Sequence, residues 1–363
     1  MSRVEPSATT GELVRVDVDA LRSSLTTIFE ALDVPAGDAA IVADGLVLAE
    51  SRGVTTHGVA NLAPRYAGWI EEGLANPRPA HRVTRGASAL MNVDGDGGLG
   101  IVVAARVMDD VAERAADTGI AMATVHNSRH LAMAAFHAMR ALDHDMIGVC
   151  TTAVAPAMVP TFGSEPRLGT NPIAVAVPAG EEPAFVFDAA TTTVAVNKLR
   201  LKQRAGEPAP AGWMVDADGE PVREPAVPEP PFRLSPLGGT PEASSYKGYG
   251  LAAIVDILGA VLSQATFGQR LETWQASHTL TAIDIDAVQP IDEFRTAMDA
   301  YLRMLKSTPP APGHDEVLVA GQREHRALQA SLAEGVPLPS AAVEWVAERG
   351  RRHGLTLPRL EHT

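Results

Sequence analysis

The stretch Val93 to Ala115, VDGDGGLGIVVAARVMDDVAERA, holds Gly95, Gly97 and Gly100 in the spacing G-x-G-x-x-G. An apolar segment, SALMNV, precedes it and a helical pattern follows. No other feature constrains the fold as much, because strand, glycine turn and helix in this order open a doubly wound dinucleotide-binding domain. That fingerprint also needs an acidic residue about 20 positions on, at the end of the second strand, to hold a ribose. The second strand here is GIAMATV (119–125), and it ends in His126, Asn127 and Ser128. Asp117 has the right count but precedes the strand, while Asp94 and Asp96 crowd the loop and would repel a pyrophosphate. Gly95 to Gly100 therefore reads as a tight turn that starts a helix. A conventional Rossmann dehydrogenase is the competing fold, and it requires this loop to touch the pyrophosphate.

Around the turn, apolar periodicity marks the other elements. DVDALRSSLTTIFEALDV sets Leu21, Leu25, Ile28, Phe29 and Leu32 near helical spacing, with Asp17 and Asp19 as candidate N-caps. AAIVADGLVLAESRG is a second helix, apolar on most faces and so expected to be buried; Gly53 ends it and VTTHG follows as a loop. NLAPRYAGWIEEGLANP is a third, stopped by Gly73 and Pro77. A helix over about 101–117, the strand at 119–125, a helix in HLAMAAFHAMRALDHD and a strand in MIGVCTTAV come next. AVAVPAGEEPAFVFDAATT holds two strands joined by a turn at Gly180. Residues 205–243 are rich in Pro and Gly and read as extended or looped chain that covers a site. The helix GLAAIVDILGAVLSQ, the strand HTLTAIDIDAV and helices near 291–307, 324–334 and 341–352 complete the chain.

Strands and helices alternate at first and strands then cluster, so the expected fold class is α/β with a mixed sheet. The expected organisation is a disordered N-terminus (1–12), a mainly helical domain from 13–80 and 290–355, and a mixed α/β cofactor- and substrate-binding region over 81–289 with 205–243 as its cover.

Composition narrows the function. A formal charge of -14, without a Lys/Arg block, argues against nucleic acid and anionic membranes as partners. No run of 18 apolar residues is present and the polar N-terminus lacks a signal-peptide core, so the expected location is the cytoplasm. Cys150 is the single cysteine; it lies in an apolar strand and reads as a buried, inert thiol in a reducing compartment.

Several short segments carry chemistry. His57, on a loop beside the Thr56 hydroxyl, has a side chain suited to general acid–base work, although an exposed loop histidine has the same local pattern. His130 stands at a strand-to-helix boundary, where free N–H groups of a helix start can face a phosphate. His126 and His130 lack a third ligand, so no metal site is expected. His137 and His144 read as surface positions. Thr170-Asn171-Pro172 forms an extended turn that presents polar groups. Asp188 ends an apolar strand, where a carboxylate can hold a ribose hydroxyl or cap the next turn, and Lys198 follows ten residues later. Lys247 sits among small residues just before a long apolar helix, which suits an anion site or a glycine-rich hinge.

Taken together, ESRGVTTHGVANL, VHNSRHLAMAAF, MIGVCTTAVAPAMVPTFGSEPRLGTNPIAVAVP, FDAATTTVAVNKL, PAGWMVDADGEP and LSPLGG…YKGYGLAAIVDILGAVLS resemble, in this order, the malate/L-lactate dehydrogenase family of the non-Rossmann type. That family includes ureidoglycolate and sulfolactate dehydrogenases, 2,3-diketogulonate reductase and Δ1-piperideine-2-carboxylate reductase. The likeness runs from about residue 15 to 350. It implies a homodimer that binds NAD or NADP without a Rossmann domain and moves a hydride between nicotinamide and a small-molecule 2-oxo/2-hydroxy acid or cyclic imine. It implies His57 as proton donor and acceptor, oriented by Thr56, with His130 and Lys198 as secondary catalytic groups. Thr170 matches a substrate-contacting residue. His130, Leu131, Ala132, Asp188, Ala189, Ala190, Lys247, Gly248 and Gly321 match cofactor positions.

The departures cluster at the substrate end. Four residues after the histidine, where the family carries a carboxylate-binding arginine, this chain has Asn61. Losing a bidentate guanidinium removes the natural clamp for a carboxylate. Arg52 and Arg65 are the replacements at hand, and Arg52 and Asn61 are the substrate-binding residues expected here beside Thr170. Thr56 replaces a serine, Asn197 a glycine and Ala320 a proline, and Thr152-Ala153-Val154 lacks a polar cofactor contact. The expected function is NAD(P)-dependent oxidation or reduction of a 2-hydroxy/2-oxo acid. The alternatives are reduction of a cyclic imine or specialised-metabolism ketone, and a homologue that binds cofactor without catalysis.

Overall fold

Strand β1 (Leu13–Val16) leads into Asp17, whose carboxylate accepts the Ala20 amide at 2.8 Å and caps α1 (Val18–Glu30). The apolar face of α1 buries Leu21, Leu25, Ile28 and Phe29 completely, each worth about 1.5–3 kcal/mol of transfer free energy. That face packs on α2 (Ala36–Ser51), which is buried on nearly all sides, as its mostly apolar sequence requires. A short 3-10 turn, Thr55–His57, connects α2 to α3 (Val59–Glu71). The computed structural model describes residues 12–358 and 360; the expected disorder over 1–12 falls, but for Glu12, outside the described residues.

The sheet begins with β2 (Arg82–Ala87) and β3 (Leu90–Asp94). Next come α4 (Gly100–Thr118), β4 (Ile120–Arg129), α5 (Ala134–Arg140), β5 (Met146–Ala153), β6 (Ile173–Val177) and β7 (Phe185–Ala189). After β7 the chain forms α6 (Val196–Ala205), a long irregular segment, and α7 (Tyr246–Asp256), which continues as a π-helical turn over Ile257–Val261. The remaining elements are β8 (Gln275–Asp284), α8 (Ile291–Lys306), α9 (Gln322–Glu334), β9 (Val336–Pro339) and α10 (Ser340–Arg352). None of the helices among the described residues is long and apolar enough to cross a membrane.

Seven strands form one mixed sheet in the order β2-β3-β4-β8-β5-β6-β7. Among the described residues, β3 and β4 are the one parallel pair of this sheet; its other pairs are antiparallel. This is the mixed α/β architecture that the clustered strands predict, and it is not a doubly wound sheet. The pairing makes β3, β4, β5 and β7 run the same way, so their C-terminal ends line one edge of the sheet. β1 pairs with β9 apart from it, register Leu13 to Pro339. Helices α4 and α5 pack against the sheet, and one continuous core joins them to α1, α2 and α3.

Three expectations change. The helix expected from His130 starts only at Ala134; His130 to Met133 is a loop, with Ala132 at φ +65°. His137 is not a surface residue. It is wholly buried, because α5 packs on the sheet with α4 beside it, and its Nε2 meets the Leu131 carbonyl at 2.8 Å. Residues 205–243 are irregular as expected, but bridges at Ala209–Ala226, Met214–Leu234 and Thr192–Pro236 tie them down around a small core of Val194, Leu199, Ala209, Met214 and Leu234.

Candidate active site

The glycine turn comes first, because it decides where a cofactor does not bind. Arg129 donates its amide to the Gly98 carbonyl at 3.1 Å, and Gly97 donates to the Asn127 carbonyl at 2.8 Å. Asp94 is spent on the Asp96 amide and the Asn127 side chain. At Gly100, the first residue of α4, a Cβ would stand 1.9 Å from the Arg129 carbonyl oxygen. The helix start that would hold a pyrophosphate in a Rossmann domain is thus filled by the end of β4. The glycines let the turn press against the segment that carries His130.

That segment meets α3. Ala132 donates its backbone N–H to His130 Nδ1 at 3.1 Å. An amide only donates, so Nδ1 carries the lone pair and Nε2 the proton. The hydroxyl of the buried Tyr66 donates to the His130 carbonyl at 2.9 Å and lies 3.1 Å from the same Nδ1. The ring of His57 stacks on that of His130, centroids 5.6 Å apart and planes 12° from parallel. Thr56 Oγ1 lies 2.9 Å from His57 Nδ1, and a hydroxyl serves there as donor or acceptor. Burial, with the nearby Arg65 charge, lowers the His57 pKa to about 4. Burial also holds His130 well below its ordinary value, with His57 and Arg65 adding to the effect. Both rings are therefore neutral at neutral pH.

Beneath His57 lies Glu50, 1% exposed, whose Oε2 accepts the Ala60 amide at 3.3 Å in the first turn of α3. A Cβ on Gly58 would fall 2.2 Å from that oxygen, so the carboxylate fills the space beside the glycine and pins the turn. Burial raises Glu50 to about 7. Asn61 does not face outward as a carboxylate clamp: its side-chain amide donates to the Thr56 carbonyl and braces the same turn. Of the two arginines, Arg52 is 5% exposed and lies in the field of Glu324 and Asp188. Arg65 is half-buried on α3 near His57 and His130, and no carboxylate among the described residues reaches ion-pair distance of it.

The other candidate residues form two neighbouring groups on the same sheet edge. Asp188, at the end of β7, accepts the Ala135 amide at 2.8 Å, which uses a free N–H of the α5 start. Its side chain is open to solvent yet crowded by protein, and that crowding raises its pKa to about 6. Gly321, at φ +86°, packs on Val186 two residues earlier, and the Ala320 carbonyl accepts the Val186 amide. In the other group, Thr170 gives its carbonyl to Thr191, whose own carbonyl accepts the Leu237 amide. Leu237 presses against Gly248 so closely that a Cβ there would lie 2.3 Å from its nitrogen. Lys247 is exposed within the first turn of α7 rather than before it. Lys198 is exposed on α6, a helix the sequence reading did not expect, and no contact among the described residues brings its side chain to the histidine pair. Leu131 and Ala132 are buried next to His130. Cys150 is buried, and burial pushes its thiol pKa well up, which makes it inert. No metal-binding cluster is found among the described residues.

Sequence reasoning missed Tyr66 and Glu50. Glu50 left a signal, an acid within an apolar stretch at the end of α2. Tyr66 left none beyond its place on the apolar face of α3.

The family model for malate/L-lactate dehydrogenase matches residues 16–347. Malate dehydrogenase of Pyrococcus horikoshii is 35% identical over 348 residues, covering 94% of this chain and 96% of the relative. L-sulfolactate dehydrogenase of Methanocaldococcus jannaschii is 33% identical over 306 residues, covering 82% of this chain and 86% of the relative. The solved structure of malate dehydrogenase from Entamoeba histolytica superposes with a TM-score of 0.90 at 28% identity, covering 96% of this chain and all of the other. Sequence and fold place the chain in the malate/L-lactate dehydrogenase family, whose members are oxidoreductases.

Proposed function

We propose that the chain interconverts a 2-hydroxy acid and its 2-oxo acid with NAD or NADP, using His57 as proton carrier and Arg65 as carboxylate partner. The observation that carries this reading is the stacked, neutral His57–His130 pair beside a guanidinium with no carboxylate partner among the described residues. His57 suits proton exchange because Thr56 adapts to either state of Nδ1. His130 suits a fixed donor, because the Ala132 amide holds its proton on Nε2. A carboxylate bound at Arg65 would also cancel the charge that depresses His57, so substrate binding raises the histidine's proton affinity. Arg65 meets the like charge of Arg200 from α6 as well as its own burial, and Arg200 has no carboxylate partner among the described residues. Two uncompensated cations favour a dianionic acid, in keeping with relatives named malate and sulfolactate dehydrogenase.

The residues also fit a dinucleotide. Asp188 has one oxygen held by the Ala135 amide and the other without a hydrogen-bond partner among the described residues, next to the small Ala189 and Ala190. Lys247 offers an exposed charge at the start of α7. When bound, the nicotinamide would supply or take the hydride. The exposed stripe Leu251, Ile254, Ile257, Val261 and Leu262 supports a homodimer, which sedimentation would show as a single species of twice the chain mass.

The test is oxidation of NADH and of NADPH with oxaloacetate, pyruvate and the oxo acid of sulfolactate. Arg65→Gln should raise KM for the preferred acid by about 10–100-fold, with a smaller change in kcat. Unchanged KM in that variant would take the carboxylate away from Arg65.

A further inference from the structure

His278 is fully buried in β8, the middle strand of the sheet, and nothing described so far uses it. Its Nε2 lies 2.9 Å from Ser128 Oγ on β4, and its Nδ1 lies 2.9 Å from Thr152 Oγ1 on β5. One ring therefore joins both neighbouring strands, through hydroxyls that are themselves buried. Its inward-facing neighbours along β8, Ala276, Leu280 and Ala282, are buried and apolar, and Leu280 and Ala282 belong to the main core. Packing alone would be served by another apolar side chain at 278. Burial lowers the ring's pKa to about 3, so it is neutral and must use one nitrogen as donor and the other as acceptor.

The place where it acts is irregular. The β4–β8 register shifts between Val125 and Ser128, and Asn127 takes φ +50° inside the shift. A bulge re-aims the strand beyond it and leaves backbone unpaired. Two residues further on is His130. The glycine turn presses on this segment from one side, through Gly97 and Gly98. His278 grips it from within the sheet.

We propose that His278 is a positioning residue for His130: it anchors the β4 bulge through Ser128, using Thr152 on β5 as the fixed point. The inference rests on the reading of His130 as a fixed donor, and its test is built to fail separately. His278→Leu removes both arms and keeps the bulk, whereas His278→Gln retains one donor and one acceptor. Ser128→Ala breaks only the β4 arm and covers the case in which His278→Leu does not fold.

The readouts are kcat and KM for oxaloacetate with NADH and NADPH, the melting temperature, and ring nitrogen-15 spectra of His130. The leucine and alanine variants should lose about 100-fold in kcat with little change in KM, the scale of a misplacement near 1 Å. The His130 spectrum should lose its single Nε2–H form, and His278→Gln should recover most of both signals. A purely structural histidine would lower the melting temperature of all three variants while kcat and the His130 spectrum stayed at wild-type values. That outcome overturns the proposal, as does a glutamine variant as impaired as the leucine one. If the wild-type chain turns over none of the acids, the functional reading fails, and the His130 spectrum still decides whether His278 positions it.

Discussion

The two stacked histidines are neighbours in space and opposites in how they are held. His57 rides a single 3-10 turn between two helices, and its Nδ1 faces a hydroxyl that rotates to suit either tautomer. His130 follows a strand end pressed by the glycine turn, and its Nδ1 faces a backbone amide that suits only one. The first arrangement permits a proton to come and go; the second fixes a proton in place. Similar rings in a similar low-dielectric setting are thus suited to different work by the polarity of one neighbouring atom.

The largest expected effect separates those two jobs. His57→Gln should cut kcat by about 1000-fold and flatten the pH dependence of kcat/KM, because the group that titrates is gone. His130→Gln should cost about 100-fold, as for loss of one preorganised donor, and keep the wild-type pH profile. Identical profiles in the two variants would break the distinction.

A smaller effect tests the clamp on the His130 side alone. Gly100→Ala forces a methyl onto the Arg129 carbonyl, and the resulting shift should cost about 1–3 kcal/mol of stability. It should also lower kcat without altering the pH profile. An alanine variant as stable and active as wild type would mean that the turn does not hold His130.

The smallest effect on activity probes the His57 side. Glu50 has a pKa of about 7, above its ordinary 4.5, so the folded state binds its proton more tightly than the unfolded chain does. Its contribution to stability is therefore full below about pH 4.5 and declines as pH rises to about 7. Glu50→Gln cannot titrate and should remove that decline, with a gain of about 3 kcal/mol at pH 8 and none at pH 4. Thermal melts at the two pH values check it; an equal difference at both would show that the carboxylate does not titrate in this window.

Legibility in the sequence followed the local pattern. Helices α1 and α8 declared themselves through an apolar face and strand β7 through its run to Asp188, and the structure keeps all three near the expected bounds. Helix α6 was hidden because it buries only Leu199 and so writes no stripe. Strands β1 and β9 were hidden because each is four residues long and its partner lies at the other end of the chain. His137 misled because a helix covered on both sides hides polar residues as well as apolar ones.

The same divide runs through the site. The sequence alone determined the mixed sheet, the order of the family motifs and the chemical groups on offer, since those depend on residues close together in the chain. Tertiary structure alone decided that the glycine turn grips β4 instead of a phosphate. It decided that Asn61 braces Thr56, that Arg52 lies in the field of Glu324 and Asp188, and that Arg65 is left beside the histidines. Each of those outcomes depends on which charges and backbone atoms meet across long stretches of chain, and hydrogen bonds and ion pairs act only over the few ångströms that folding brings about.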